Sequence, residues 1–324
     1  MLQQLQRHWR HFRPQRPHQR HRHHQYDNQL YRRRDFEKDK PYITPPQDVQ
    51  FVCDSTDFFD CAEEEAVSLL QRRPEVNDLE RDIDHLKQKF ARTNLAHDGM
   101  VSLLAQAPRA ALAQIQMDQH PHGYRNKQER LFELIDFNDT LVATVQLLSD
   151  TDRVRFASAA KVAADRICQR VGAPCFTNEQ WDAIVRGLTR EIAVYWAAKN
   201  NGFNVLMTTR AQDALGIDLQ IQDPQTHRYI NVDVKTPSAF RYRLETLVEE
   251  GRLSPHEQLV ADEQSFALQL NGHGRKIEIV LLCILPDKFG DLADFRFVDE
   301  APMRDMLNML IQRHGLTDGK FGIV

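Results

Sequence analysis

The chain has 324 residues, of which 41% are hydrophobic, enough to bury a sizeable core in one large domain or two modest ones. No segment approaches the ~20 consecutive apolar residues of a membrane-spanning helix, so a membrane partner is not expected. The formal net charge of -4 does not by itself predict a nucleic-acid-binding protein. The five cysteines form no CxxC pair, which is typical of reduced thiols in a cytoplasmic protein.

Residues 1–48 form a basic N-terminal tail that is rich in Arg, His, Gln and Pro and poor in aliphatic side chains. The first 26 residues carry six Arg, six His and no acid. Such a segment cannot bury enough apolar surface to offset the entropy of ordering, so we predict that it is disordered. It could grip phosphates electrostatically, serve as a solubilising tail, or bind metal adventitiously through its histidines.

Residues 49–170 form a second region, which is predicted to be helical from residue 62 onwards. Apolar residues recur there at helical spacing, and Pro74, Pro108, Pro121 and Gly123 punctuate the pattern. The predicted helices cover residues 62–73, 76–92, 100–117 and 126–148. The apolar stripe of the last helix is typical of a core or of a surface that packs on a partner helix. No catalytic pattern stands out.

Residues 171–324 form the third region, in which helix and strand patterns alternate. Thr177 and Gln180 make a capping box that predicts the start of a helix, and Asn201-Gly202 predicts its end. Alternating or continuous apolar runs then predict strands over 203–209, 215–222, 228–235 and 277–285. Helices are predicted over 256–270 and 301–313. The order is therefore helix, three strands, helix, strand, and a final helix.

Two of these strands carry charged residues at alternate positions. In the sequence Gly216-Ile217-Asp218-Leu219, Asp218 lies opposite the apolar face of its strand, and in Val232-Asp233-Val234-Lys235 the two polar residues share one face. If the strands pair, two carboxylates and one ammonium converge. Two hard oxygen ligands can hold Mg²⁺, and a nearby amine can orient or deprotonate a water molecule, which suits phosphodiester hydrolysis.

This element order and these residues resemble the PD-(D/E)xK nuclease superfamily, the restriction-endonuclease-like fold, over about residues 177–285. The resemblance implies an α/β fold with an αβββαβ core, a mixed sheet flanked by helices. It places one acid at the second core strand and an acid-x-Lys on the third, which Asp218 and Asp233-Val234-Lys235 match. Two positions depart from the commoner pattern: Ile217 stands in place of Pro, and Asp233 in place of Glu.

The resemblance also implies roles for individual residues. Asp218, Asp233 and the backbone carbonyl of Val234 would ligate Mg²⁺ or Mn²⁺. Glu191, on the first core helix, would bind through water or hold a second ion. Lys235 would position the attacking water and stabilise charge on the phosphate. Asp233→Asn or Lys235→Ala should then abolish cleavage with little loss of fold.

Several other residues are candidates of second rank. Asp213 and Gln212 would support the metal site or lie in an ordinary loop. Thr236 would hydrogen-bond phosphate or only end its strand. Arg241 and Arg243 would contact a nucleic-acid backbone, or belong to a solvated helix start.

The sequence thus predicts a metal-dependent endonuclease, with DNA favoured over RNA. The alternatives are a catalytically inactive nucleic-acid-binding or assembly protein on the same core, and an RNA nuclease. A homodimer, or a helical partner that contacts residues 62–170, is also compatible with the pattern. No RRM, KH, helix-turn-helix or zinc-finger signature separates these possibilities.

Overall fold

The computed structural model describes most of the chain from residue 55 onwards. The described residues are 55–72, 76–119, 132–208, 216–254, 257, 267–270, 278–317 and 321–322. They form a mixed α/β structure, as the sequence predicts, and fall into two compact units that divide between Val185 and Arg186. The division lies downstream of the predicted boundary at residue 171. The predicted tail over 1–48 lies outside the described residues.

The first unit is helical. Its helices are α1 (Phe58–Arg72), α2 (Val76–Thr93), α3 (Ala96–Asp118), α4 (Phe132–Val145), α5 (Asp150–Val171) and the beginning of α6 (Asn178–Asn200). Helix α3 packs against α1, α2, α4 and α5 and is buried on nearly all sides. Across the part of the chain that the structure describes, no helix has both the length and the apolar character needed to span a bilayer.

One prediction for this unit is confirmed and one needs correction. The helix predicted over 100–117 is confirmed as α3, and Pro108 lies buried inside it. A proline removes one helical hydrogen bond and clashes with the preceding turn, so the packing around α3 must outweigh that cost of ~3 kcal/mol. Cys61 is disulfide-bonded, so the prediction of reduced thiols is wrong for that residue, whereas Cys168, Cys175 and Cys283 are free.

The second unit contains a five-stranded sheet. After α6 come β1 (Asn204–Met207), β2 (Leu219–Gln222), β3 (Tyr229–Lys235), α7 (Pro237–Glu249), β4 (Ala267–Leu270), β5 (Ile279–Cys283), α8 (Pro286–Phe289), β6 (Leu292–Ala293), β7 (Arg296–Phe297) and α9 (Ala301–His314). The strand order is β1-β2-β3-β5-β4, and β6 pairs with β7 separately. Strands β3 and β5 are parallel, and the other neighbours in the sheet are antiparallel.

The predicted strands over 203–209, 215–222, 228–235 and 277–285 are confirmed, with shorter limits. The helix predicted over 256–270 is wrong for its last four residues, whereas Glu257 is helical and residues 258–266 lie outside the described residues. The helix that follows β3 is α7, and residues 267–270 form the edge strand β4. Because β4 is held by antiparallel pairing with β5, a contact between distant positions, local apolar spacing could not reveal it.

The two faces of the sheet bury different helices. On one face, alternate residues of β2 and β3 pack against α6 and α9, forming a core that includes Leu219, Ile221, Val232, Val234, Ala197 and Leu307. On the other face, Phe240 and Leu247 of α7 pack against Leu281 and its neighbours. Because side chains alternate along a strand, Asp233 lies on the α7 face, beside its register partner Leu281.

Candidate active site

Strand pairing sets Asp218 directly across from Asp233. Leu219 of β2 pairs with Val232 of β3, so the next position on each strand brings the two acids together. The Asp218 amide donates to the Val232 carbonyl at 2.8 Å. On its other side, the buried Thr208 hydroxyl donates to the Asp218 carbonyl at 3.0 Å. The backbone of Asp218 is therefore fixed by both neighbouring strands.

The polar face of β2 and β3 continues away from the acids as a buried amide pair. The Gln220 side-chain amide donates to Asn231 Oδ1 at 2.8 Å, and Asn231 Nδ2 donates to the Glu278 carbonyl at 2.9 Å. Both residues are almost fully buried. Their hydrogen bonds offset the cost of burying amides, and they join β2 to β3 next to the acids.

Three oxygen atoms lie around the Lys235 ammonium. It donates to Asp233 Oδ1 in a very short contact and to the Val234 carbonyl at 3.2 Å. It also lies 3.6 Å from Asp218 Oδ2, which accepts a 2.8 Å hydrogen bond from the Val234 amide. A single positive charge thus contacts both acids and the intervening carbonyl.

This arrangement shifts the pKa of both partners. Burial, reinforced by the Asp218 carboxylate, raises the pKa of Asp233 to about 7, although the charges of Lys235 and Arg243 oppose the rise. Burial disfavours the charged form of Lys235, but the carboxylates of Asp218 and Asp233 outweigh it and hold the Lys235 pKa above its usual range. Lys235 is therefore an ammonium at neutral pH, suited to orienting a water molecule and not to deprotonating it.

The donor set at this position fits a hard divalent cation. Two carboxylates and one backbone carbonyl already surround the ammonium, and oxygen donors are the ligands that Mg²⁺ and Mn²⁺ prefer. Within the described ranges, no three Asp, Glu, His or Cys side chains form a metal-binding group. The remaining ligands would have to be water or phosphate oxygens, which is how Mg²⁺ is usually held.

Glu191 and Thr236 lie near this cluster in different ways. Glu191 is buried on α6, and its carboxylate contributes to the raised pKa of Lys235, after Asp218 and Asp233. Among the described residues, it does not join the two aspartates in a cluster of three acids. The Thr236 hydroxyl accepts from the Ala239 amide at 3.1 Å and caps α7, so its observed role is to begin that helix.

The two candidate arginines of α7 differ in position. Arg241 is exposed, whereas Arg243 is half-buried. A Cβ atom added to Gly216 would lie 3.5 Å from Asp233 Oδ2 and 3.9 Å from Arg243 Nη2, so the guanidinium and the carboxylate approach the same glycine. Arg243 thus belongs to the surroundings of Asp233.

The remaining two candidates, Asp213 and Gln212, lie outside the described residues. Thr208 and Gly216 lie beside the site and were not among the candidates. Thr208 was not predicted, because a threonine that ends a strand gives no signal until its partner strand is known. Gly216 has φ +86°, a conformation that favours glycine, and its position before the Asp218 strand was the available signal.

No family model matches the chain, and neither a curated protein nor a solved structure matches it. The positions of Asp218, Asp233 and Lys235 are therefore the ground for assigning a function. Asp218 and Asp233 are buried, Lys235 is half-buried, and the three are adjacent, a combination more typical of a functional site than of a solvated sheet face.

Proposed function

We propose that this protein is a metal-dependent endonuclease that hydrolyses phosphodiester bonds, with DNA favoured over RNA. The supporting observation is the convergence of Asp218, Asp233 and the Val234 carbonyl on the Lys235 ammonium. Oxygen donors around one cation position, beside a charged lysine, suit a reaction that needs a divalent cation and an oriented water molecule.

The sheet topology supports the proposal that the second unit is a restriction-endonuclease-like core. Helix α6, strands β1 to β3, helix α7 and strand β5 follow in the αβββαβ order, and β5 lies parallel to β3. On this proposal β4 is an addition at the edge of the sheet. The acids lie at the second and third strands, as in the resemblance described above.

The proposed chemistry divides the work among the residues of the site. Asp218, Asp233 and the Val234 carbonyl would hold Mg²⁺ or Mn²⁺, which when bound would polarise the phosphate and lower the pKa of a water ligand. Lys235, kept charged by the two acids, would orient the attacking water and offset negative charge on the phosphate. Glu191 would reinforce the charge of Lys235.

The helical first unit is proposed as a module for partner contacts, either with a second copy of the chain or with another helical protein. Its described helices pack around α3, so a partner would have to contact their outer faces. Val154 and Val162 of α5 are among the exposed large apolar side chains there.

Cleavage of nucleic acid by the full chain tests the proposed function. Single- and double-stranded DNA and RNA would be incubated with the wild type, with Asp233→Asn, and with Asp291→Asn, an exposed acid of the same unit outside the site. We expect cutting with Mg²⁺ by the wild type and by Asp291→Asn, none in EDTA, and none by Asp233→Asn. The substrate that is cut identifies DNA or RNA.

Two outcomes would contradict the proposal. Cutting by a clean preparation of Asp233→Asn would show that the acid is not needed. Binding of nucleic acid without cutting by the wild type would favour the inactive binding protein. Asp233→Asn is the better variant because Lys235→Ala would remove the nearest counter-charge of two adjacent buried carboxylates, and absent activity could then reflect an unfolded protein.

A further inference from the structure

Helix α7 carries an arginine, Arg243, on the side that packs against the sheet. Phe240 and Leu247 of this helix are buried in the core that α7 forms with the sheet. Arg243 lies three residues after the first and four before the second, so the three side chains share one face of the helix. Arg243 is half-buried. The apolar contacts of α7 therefore place a guanidinium at the sheet face that holds Asp233.

Gly216, just before β2, shows how close this guanidinium comes to the acid. A Cβ atom added there would lie 3.5 Å from Asp233 Oδ2 and 3.9 Å from Arg243 Nη2. Among the described residues, and apart from the chain neighbours of the glycine, no third atom would lie within 4 Å. A side chain at this position would stand beside both groups. Because glycine has none, the edge shared by the Asp233 carboxylate and the Arg243 guanidinium stays open.

The cation that the two acids hold is Lys235, not Arg243. The Lys235 ammonium contacts Asp233 and lies 3.6 Å from Asp218 Oδ2. Within the described ranges, no acidic oxygen lies within 4.0 Å of the Arg243 guanidinium nitrogens, and Arg243 makes no hydrogen bond through its side chain. A guanidinium is always charged in proteins and has several N–H donors. Arg243 therefore retains donors for an acceptor that comes from outside the chain.

We propose that Arg243 is a further catalytic residue, which binds a non-bridging oxygen of the reacting phosphate beside Asp233 and Lys235. The planar fork of a guanidinium matches the oxygens of a phosphate, and a fixed positive charge there stabilises the negative charge that develops during hydrolysis. The water oxygen bonds to phosphorus as the bond from phosphorus to the leaving oxygen breaks, and Arg243 neither gains nor loses a proton. This inference rests on the proposed function and deepens it.

Binding of nucleic acid in the absence of metal tests this role apart from cleavage. The full chain in EDTA would be titrated with labelled single-stranded DNA, duplex DNA and an RNA of the same sequence, across a salt series. Arg243→Ala and Arg243→Lys would be compared with the wild type. The matched control is Arg304→Ala, an exposed arginine of α9 whose charge is paired with Asp305.

We expect Arg243→Ala to weaken the binding of nucleic acid by about tenfold. The slope of log K against log salt should also decrease by about 1, because one phosphate is no longer neutralised. Arg243→Lys should keep the slope but recover only part of the affinity, because an ammonium lacks the planar fork. Arg304→Ala should change neither quantity. An unchanged Kd and slope in Arg243→Ala would overturn the inference, as would the absence of any binding by the wild type.

Cleavage kinetics distinguish the reacting phosphate from a neighbouring one. With Mg²⁺ and saturating substrate, Arg243→Ala should lower kcat by about a hundredfold, because the contact strengthens as charge develops on the phosphate. A contact to a neighbouring phosphate would raise KM and leave kcat unchanged. That second pattern would overturn the assignment of Arg243 to the reacting phosphate.

The two proposals fail in different ways. If the wild type does not cut but Arg243→Ala weakens binding and lowers the salt slope, the proposed function fails and the phosphate contact of Arg243 stands. If the wild type cuts and Arg243→Ala binds and cuts like it, the function stands and the inference fails. Thermal unfolding checks the fold of each variant. If Arg243→Ala does not fold, Arg243→Lys decides the matter, since wild-type affinity and kcat in that variant would overturn the inference.

Discussion

At the scale of single residues, the charge of Asp233 controls what the candidate site can bind. Only 3% of Asp233 is exposed, and its pKa is raised to about 7 by burial and by Asp218. The charged groups that face it are Lys235, Asp218 and Arg243. A carboxylate must lose its proton to ligate a metal ion, so near pH 7 a proton competes with the cation.

Metal affinity should therefore depend on pH. Below about pH 7 Asp233 holds a proton that must leave on binding, so the affinity for Mn²⁺ or Mg²⁺ should fall by about tenfold for each pH unit. Above about pH 7 the affinity should level off. Titration calorimetry of Mn²⁺ binding from about pH 5 to about pH 8 would measure this, with Asp291→Asn as the control. An affinity that is constant across this range would contradict the assignment of Asp233 as a ligand.

Gly216 makes a second prediction at this scale, with Gly187 as its matched control. Gly216 has φ +86°, so Gly216→Ala should destabilise the protein by ~1 kcal/mol. Gly187 lies inside α6, and a Cβ added there would have no neighbouring atom within 4 Å, so Gly187→Ala should stabilise the helix by ~1 kcal/mol. Urea unfolding followed by circular dichroism would compare them. Shifts of the same sign would contradict the backbone argument.

At the scale of elements, helix α7 depends on its first residue. Thr236 accepts from the Ala239 amide, so Thr236→Ala should lower the free energy of unfolding by ~1 kcal/mol, while Thr236→Ser should retain the cap. Cleavage per folded molecule should be unchanged in both. A loss of activity in Thr236→Ala without a loss of stability would instead indicate that Thr236 binds phosphate.

The elements that sequence could predict are those whose signals are local. The capping box at the start of α6 is confirmed by two hydrogen bonds, from the Thr177 amide to the Gln180 side chain and from the Gln180 amide to the Thr177 hydroxyl. Strand β3 alternates as its sequence predicts. Strand β4 was missed because its pairing with β5 is a long-range contact.

The candidate site shows the same limit. Alternation along β3 could predict that Asp233 and Lys235 share a face, because that depends on one strand alone. Sequence could not predict that Arg243 approaches Asp233, because α7 must first be packed against the sheet. Residues brought together by packing were therefore the ones missed.

At the scale of the whole molecule, the net charge of the chain has the same sign as that of its proposed substrate. The formal net charge is -4, which repels nucleic acid at long range. Attraction must then come from local groups, among them Lys235 and Arg243. Salt screens both the long-range repulsion and the local attraction. Counterion release makes the phosphate contacts steeply dependent on salt. Binding of nucleic acid should therefore come from contacts between these basic side chains and phosphates, even though the protein is acidic overall.

The most direct test of the central claim is the rate of nucleic-acid cleavage by the full chain as Mg²⁺ is titrated, with Asp233→Asn measured alongside. The wild type should show a rate that rises from the EDTA background and saturates, because one cation position at Asp218 and Asp233 is filled. Asp233→Asn should stay at the background at every concentration. Equal rates in the two proteins, or a wild-type rate that persists in EDTA, would contradict the assignment of this site.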